Sequence, residues 1–136
     1  MNDTIARLQA AVNRHDADGM AALFAPDYRS EQPAHPNRGF GGSEQVAANW
    51  SQMFEGVPDL TTEVVAHTTH GLTTWTEWDW RGQHTDGSVF AMRGVTLMGL
   101  DDDGLIAWAR LYMEPVHEGG AAIDETVRQL SGGGPA

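Results

Sequence analysis

An α+β domain, with helices packed on one face of a curved antiparallel sheet, is the fold class predicted by three features of the 136-residue chain. Up to about Gly56, apolar residues recur at helical spacing. From Leu60 onward the texture changes to β-branched and aromatic residues punctuated by Gly-containing turns. The turns in that second half are too short for parallel crossovers, so its strands must pair antiparallel. Helices first and strands after is the order of an α+β domain rather than of alternating βαβ units.

The first helix is expected over residues 4–14, where Ile5, Leu8, Ala11 and Val12 form one apolar stripe and Asn2 or Asp3 caps the start. After His15 a second, short helix begins near Asp16, uses Met20, Leu23 and Phe24 as its apolar face, and stops before Pro26. Asp27 to Gln32 reads as extended, and Pro33 and Pro36 turn the chain into a loop. Gly39, Gly41 and Gly42 lead to a third helix with Ser43 as N-cap. Its stripe is Val46, Trp50, Met53 and Phe54, and it ends at Gly56 and Pro58. Strands follow at about 60–69, 72–83, 88–100 and 105–116, joined at His70-Gly71, Asp86-Gly87 and Asp103-Gly104. A last helical segment runs from Ala121 to Leu130 with Ile123, Val127 and Leu130 on one side. Residues 1–130 thus form one domain, and 131–136, SGGGPA, a loose tail.

Composition removes several chemistries. Cysteine is absent, which excludes disulfides, thiol nucleophiles and cysteine metal sites. All eight basic residues are arginines, so no lysine is available for a Schiff base. The formal net charge of −11 repels phosphate backbones and anionic lipid, so nucleic-acid and membrane partners are not expected. No apolar run approaches the roughly 18 residues that span a bilayer, and no signal peptide is evident, so a cytoplasmic location is the expectation.

The stretch Leu105 to Val116 carries the functional expectation. Read as a strand, it places Ile106, Trp108, Arg110, Tyr112 and Glu114 on one face and Ala107, Ala109, Leu111 and Met113 on the other. The small, apolar second face suits packing. The first, two large aromatics among charges, reads as the wall of a pocket.

The order of elements, with DGLIAWARLYMEP (Asp103 to Pro115) closing the sheet, resembles the nuclear transport factor 2-like superfamily and in particular its SnoaL-like branch, the polyketide cyclase and ketosteroid isomerase-like proteins. Pro26-Asp27-Tyr28, Pro58-Asp59-Leu60, Thr76-Glu77-Trp78 and Gly82-Gln83-His84 match as well, so the similarity covers roughly residues 3 to 116. The resemblance implies a cone: a bent sheet wrapped around three helices, with a pocket between them. Members include isomerases, cyclases, epoxide hydrolases, dehydratases and non-catalytic binding or dimerisation domains, so the fold alone does not settle function.

By the same resemblance, Glu77 and Asp79 face the cone interior, opposite Arg110, Tyr112 and Glu114. Paired carboxylates there raise each other's pKa while Arg110 lowers it, so that a neutral acid and an ionised base coexist. Glu114 takes the place of the cyclases' acid–base carboxylate, and Tyr112 that of a hydrogen-bond donor. Limonene-type epoxide hydrolases use an Asp-Arg-Asp triad; here the corresponding positions are Glu77, Asp79 and Arg110 (or Leu111), a permuted set of charges. Glu31, with Gln32 and His35, is expected at the pocket rim, and Trp50, Trp75 and Trp108 as an aromatic wall for a flat substrate. Trp78 and Trp80 then fall on the outer sheet face, where exposed indoles predict a homodimer.

Other candidates fall away. His67 and His70 lie on opposite strand faces, Asp101-Asp102-Asp103-Gly104 lacks the later ligands of a calcium loop, and the glycines of 39–42 lack a dinucleotide pattern. No metal and no cofactor is expected. The predicted function is a cofactor-independent acid–base enzyme, of isomerase, cyclase or dehydratase type, acting on a small apolar metabolite. The alternatives are a non-catalytic small-ligand-binding or dimerisation domain, or an epoxide hydrolase with the permuted triad.

Overall fold

Asn2 opens the first helix by accepting hydrogen bonds from the backbone N–H groups of Thr4 (2.8 Å) and Ile5 (3.4 Å). The structure, a computed structural model, describes residues 1–133. Part of the tail expected over 131–136 therefore lies outside the described residues. Helix α1 (Asp3–Asn13) buries Ile5, Leu8, Ala11 and Val12, the predicted stripe. Helix α2 (Ala17–Ala21) is capped by Asp16, whose carboxylate accepts from Gly19 N–H at 2.9 Å. Pro26 lies inside β1 (Phe24–Glu31), not after a helix. Strand β2 is Phe40–Gly41. Helix α3 (Ser43–Gly56) starts one residue earlier than expected, because Gly42 at φ +93° is the N-cap and Ser43 is already helical.

Four long strands follow: β3 (Thr61–His70), β4 (Thr73–Gln83), β5 (Val89–Leu100) and β6 (Ile106–Pro115). Their turns place Gly71, Gly87 and Gly104 at positive φ, as the hairpin dipeptides predict. In the acidic turn the Asp101 carboxylate accepts from Asp103 and Leu105 N–H, which gives that aspartate a turn-forming role. The sheet order is β2-β1-β6-β5-β4-β3. The four long strands pair antiparallel, but β1 joins the edge of β6 in parallel. Short turns constrain only the strands they connect, and β1 is separated from β6 by most of the chain. The sheet is therefore mixed, not purely antiparallel.

The helices close one face of this sheet. Asn13 of α1 accepts from Thr62 N–H (2.7 Å) and donates to Thr62 C=O (3.1 Å), and Gln9 accepts from Val64 N–H (2.8 Å). His15, at φ 57°, turns the chain between α1 and α2, hydrogen-bonds the Leu60 carbonyl at 2.7 Å and stacks on Phe54 of α3. On β5, Gly94 lets the Tyr112 carbonyl approach closely and Gly99 lies under the indole of Trp108. Helix α4 (Ile123–Leu130) stands apart, with Ile123, Val127 and Leu130 exposed. No helix among the described residues is long and apolar enough to cross a membrane.

Candidate functional site

Between the helices and the concave face of the sheet lies a cavity of about 230 Å³. Leu8 and Val12 of α1, Met20 of α2 and Val46 of α3 form its helical side. The sheet contributes Trp78 and Trp80 from β4, Met92, Thr96 and Met98 from β5, and Leu111 from β6. An aromatic corner closes one end: Trp50 of α3 meets Trp80 edge-on with ring centroids 5.3 Å apart and packs against Phe54 at 5.9 Å. Tyr28 of β1 sits edge-to-face between Phe24 and Phe40.

The polar groups on this wall are few and neutral. They are Tyr28, Ser30, Gln32, Asn49, Thr62 and Thr96, together with the indoles. The lining residues include no Asp, Glu, Lys, Arg or His. Burial pushes the Tyr28 phenol above its ordinary pKa, an effect that the neighbouring Ser30 hydroxyl partly offsets. Tyr28 is therefore a protonated hydrogen-bonding group throughout the neutral range, not a base. Trp78 donates its indole N–H to Thr96 Oγ1 at 2.8 Å, which orients both side chains on adjacent strands.

This wall is the opposite parity from the one expected. On β4 the cavity side is Thr74, Thr76, Trp78 and Trp80; the outer side is Trp75, Glu77, Asp79 and Arg81. On β6 the inward row is Ala109, Leu111 and Met113, while Trp108, Arg110, Tyr112 and Glu114 lie on the outer row. The placement of Glu77, Asp79, Arg110, Tyr112 and Glu114 inside the cone is corrected, and so is that of Trp78 and Trp80 on the outside. Desolvating three carboxylates and a guanidinium in a closed cavity costs far more than burying two indoles. Of the predicted binding residues, only Trp50 lines the cavity; Trp75 and Trp108 are on the outer face. Glu31 is exposed, paired across β1–β6 with Arg110. His35, in the loop after β1, bonds Glu114 Oε1 at 2.8 Å and ties that loop to the end of β6.

On the outer face Asp79 pairs with arginines. Asp79, only 8% exposed, accepts three hydrogen bonds from Arg81 at 2.6–3.1 Å, with Arg93 at 3.6 Å. Arg110 instead lies over the Trp108 ring, 4.8 Å from its centroid. The hydrogen bonds from Arg81, then the charges of Arg81 and Arg93, hold the Asp79 carboxyl below its usual range despite the opposing effect of burial. A depressed folded-state pKa contributes stability above the unfolded value near 4, lost as pH falls through the folded value. Asp79→Asn is expected to cost about 1 kcal/mol at pH 7, a figure kept small by the exposed guanidiniums. Thermal melts of the two proteins across pH 7 to 2 are expected to converge at the acid end.

The sequence profile of the SnoaL-like domain matches residues 5–109. The chain belongs to the SnoaL-like family. Solved structures agree on the fold. A putative SnoaL-like polyketide cyclase from a Jannaschia species is 25% identical, with a TM-score of 0.70 over 82% of this chain and 83% of that one. A hypothetical protein with a ketosteroid isomerase-like fold from Catenulispora acidiphila, solved in complex with trimethylamine, is 17% identical with a TM-score of 0.71 over 81% of this chain and 84% of that one. A nuclear transport factor 2-like protein of unknown function from an Exiguobacterium species is 19% identical with a TM-score of 0.69 over 82% and 98%. No curated protein matches the chain. The expected SnoaL-like cone is therefore the fold of this chain, and activity is a question for its own residues.

Proposed function

We propose that this SnoaL-like chain binds a small, neutral, largely apolar molecule inside the cone. The observation that carries the reading is a cavity of about 230 Å³ whose wall holds indoles, aliphatic side chains and a few neutral polar groups, with no charge. Scaled from the ~150 Å³ dry cavity that takes benzene, this volume suits roughly nine non-hydrogen atoms. The trimethylamine bound by the Catenulispora relative supports small-ligand binding as a use of this fold.

Carboxylate-based isomerisation or cyclisation is not the reading this geometry favours, because Glu77, Asp79 and Glu114 stand outside the cavity wall. Any proton donation within it falls to Tyr28, the one ionisable group there. The test is a thermal melt with ethylbenzene, a neutral aromatic of fitting size. At a hundredfold excess over its dissociation constant a ligand adds about 2.7 kcal/mol, or roughly 8 °C here. An unchanged midpoint up to saturating ethylbenzene contradicts the proposal.

We also propose that the outer sheet face pairs two copies of the chain. Trp75 and Tyr112 are 49% and 44% exposed there, beside Glu77 and Arg110, a set that is self-complementary about a two-fold axis. Trp75→Glu is expected to shift the mass measured by light scattering from dimer to monomer with the fold retained. A wild-type monomer at tens of micromolar is the contrary result.

A further inference from the structure

Two side chains on the cavity wall have their hydrogen-bond polarity set by partners that can only donate. Arg38, in the short helix Pro36–Arg38, donates from Nη1 to Gln32 Oε1 at 3.1 Å. A guanidinium has no acceptor, so the Gln32 amide is oriented with its oxygen toward Arg38, and its NH₂ group is the part left for the cavity. The Trp78 indole N–H likewise can only donate, so Thr96 Oγ1 accepts it and the Thr96 hydroxyl proton is directed elsewhere. Among the described residues no acceptor takes either the Gln32 NH₂ or the Thr96 O–H. Asn49, also on the wall, shares a 2.7 Å hydrogen bond with Gln45, an amide that can donate or accept, so its polarity is not fixed in this way.

These donors flank one place. Glu31 pairs with Arg110, so Gln32 follows beside Leu111, and Thr96 pairs directly with Leu111 on the other side. A molecule lying over Leu111 therefore has a hydrogen-bond donor on each side and apolar surface beneath it. No carboxylate lines the cavity to balance a cation, and no cation lines it to balance an anion.

From these contacts we infer that the cavity selects neutral ligands carrying an acceptor-only oxygen, of the ketone, aldehyde or lactone class, and discriminates against protonated amines. The inference rests on the cavity being the binding site, and it adds which polar chemistry the site accepts. Gln32 is its principal specificity-determining residue, because its orientation is imposed from outside the cavity by Arg38.

The test is Gln32→Glu, which keeps the side chain's shape and its Arg38 partner but replaces the inward NH₂ donor with an acceptor. Binding is measured by titration calorimetry at pH 7 for three probes of eight or nine non-hydrogen atoms: acetophenone, ethylbenzene and protonated 1-phenylethylamine. Wild type is expected to bind acetophenone and ethylbenzene and to reject the amine. In Gln32→Glu, acetophenone affinity is expected to fall about tenfold, ethylbenzene affinity to stay within twofold, and amine binding to emerge. Equal losses for acetophenone and ethylbenzene, or no loss for either, overturn the donor inference while leaving the cavity as a binding site. Failure of both neutral probes to bind wild type overturns the cavity reading itself.

Discussion

Trp78→Ala is expected to cost about 4 kcal/mol and to lower the melting midpoint by more than roughly 10 °C. Trp78 is 3% exposed, lies in the main core, and makes the wall of the cavity from its β4 side. Truncation removes one of the largest apolar surfaces in the core and leaves a void that joins the existing cavity instead of collapsing. It also deprives Thr96 of its indole donor. Trp75→Ala, three residues earlier on the same strand, is the matched control. Its ring is half exposed on the other face, so as a monomer the variant is expected to lose less than about 1 kcal/mol. Guanidinium denaturation of the two variants at equal, low concentration measures the contrast.

Gly94→Ala is expected to cost about 3 kcal/mol, a large effect for one added methyl group. A Cβ at Gly94 would overlap the Tyr112 carbonyl oxygen and stand 2.8 Å from the Cα of Met113, both backbone atoms of β6. Neither can move without disturbing the β5–β6 ladder, in which Gly94 pairs with Met113. Gly94 faces the same side of the sheet as its partners Trp78 and Met113, so a displacement of β6 there would also disturb the packing of those two core residues. Gly56, at the end of α3, meets nothing within 4 Å of an added Cβ, so Gly56→Ala is expected to be neutral or slightly stabilising. Melting both variants separates the cost of the close β5–β6 approach from the general cost of replacing glycine.

The elements of the fold were legible in the sequence because the dominant signals are local. The stripe Ile5, Leu8, Ala11 and Val12 faces the core, and the dipeptides at Gly71, Gly87 and Gly104 make the turns. The parallel docking of β1 on β6 was not legible, since no local pattern specifies pairing between segments some 80 residues apart. For the site, strand periodicity separates β4, and β6 from Trp108 onward, into the correct two rows of side chains. Ile106, read into the charged row, is in the core because an irregularity in the β5–β6 register before Trp108 switches the parity. What periodicity does not contain is which row is inside. Family resemblance favoured the charged row, yet the charge count on β4 points the other way. Glu77, Asp79 and Arg81 share one side, while the other side, Thr74, Thr76, Trp78 and Trp80, carries no charge. Weighing desolvation before analogy identifies Trp78 and Trp80 as inward. On β6 the Ala109, Leu111 and Met113 row was correctly a packing face, and it proves to be the cavity side as well. Gln32 was legible as a rim residue in the stretch Asp27 to Gln32 and does line the cavity, whereas Asn49 and Thr96 had no sequence signal, because their place on the wall is set by how other elements pack around them.

The five tryptophans report directly on whether the ligand site is the uncharged interior of the cone. Trp50, Trp78 and Trp80 line the cavity, whereas Trp75 and Trp108 lie on the outer sheet face. Their indole N–H resonances, assigned by single Trp→Phe substitutions, are to be followed in a ¹H–¹⁵N correlation spectrum during an acetophenone titration. Saturable shifts are expected at Trp50, Trp78 and Trp80, with Trp75 and Trp108 unmoved. Shifts confined to Trp75 and Trp108 would contradict an interior site and return it to the charged outer row of β4 and β6.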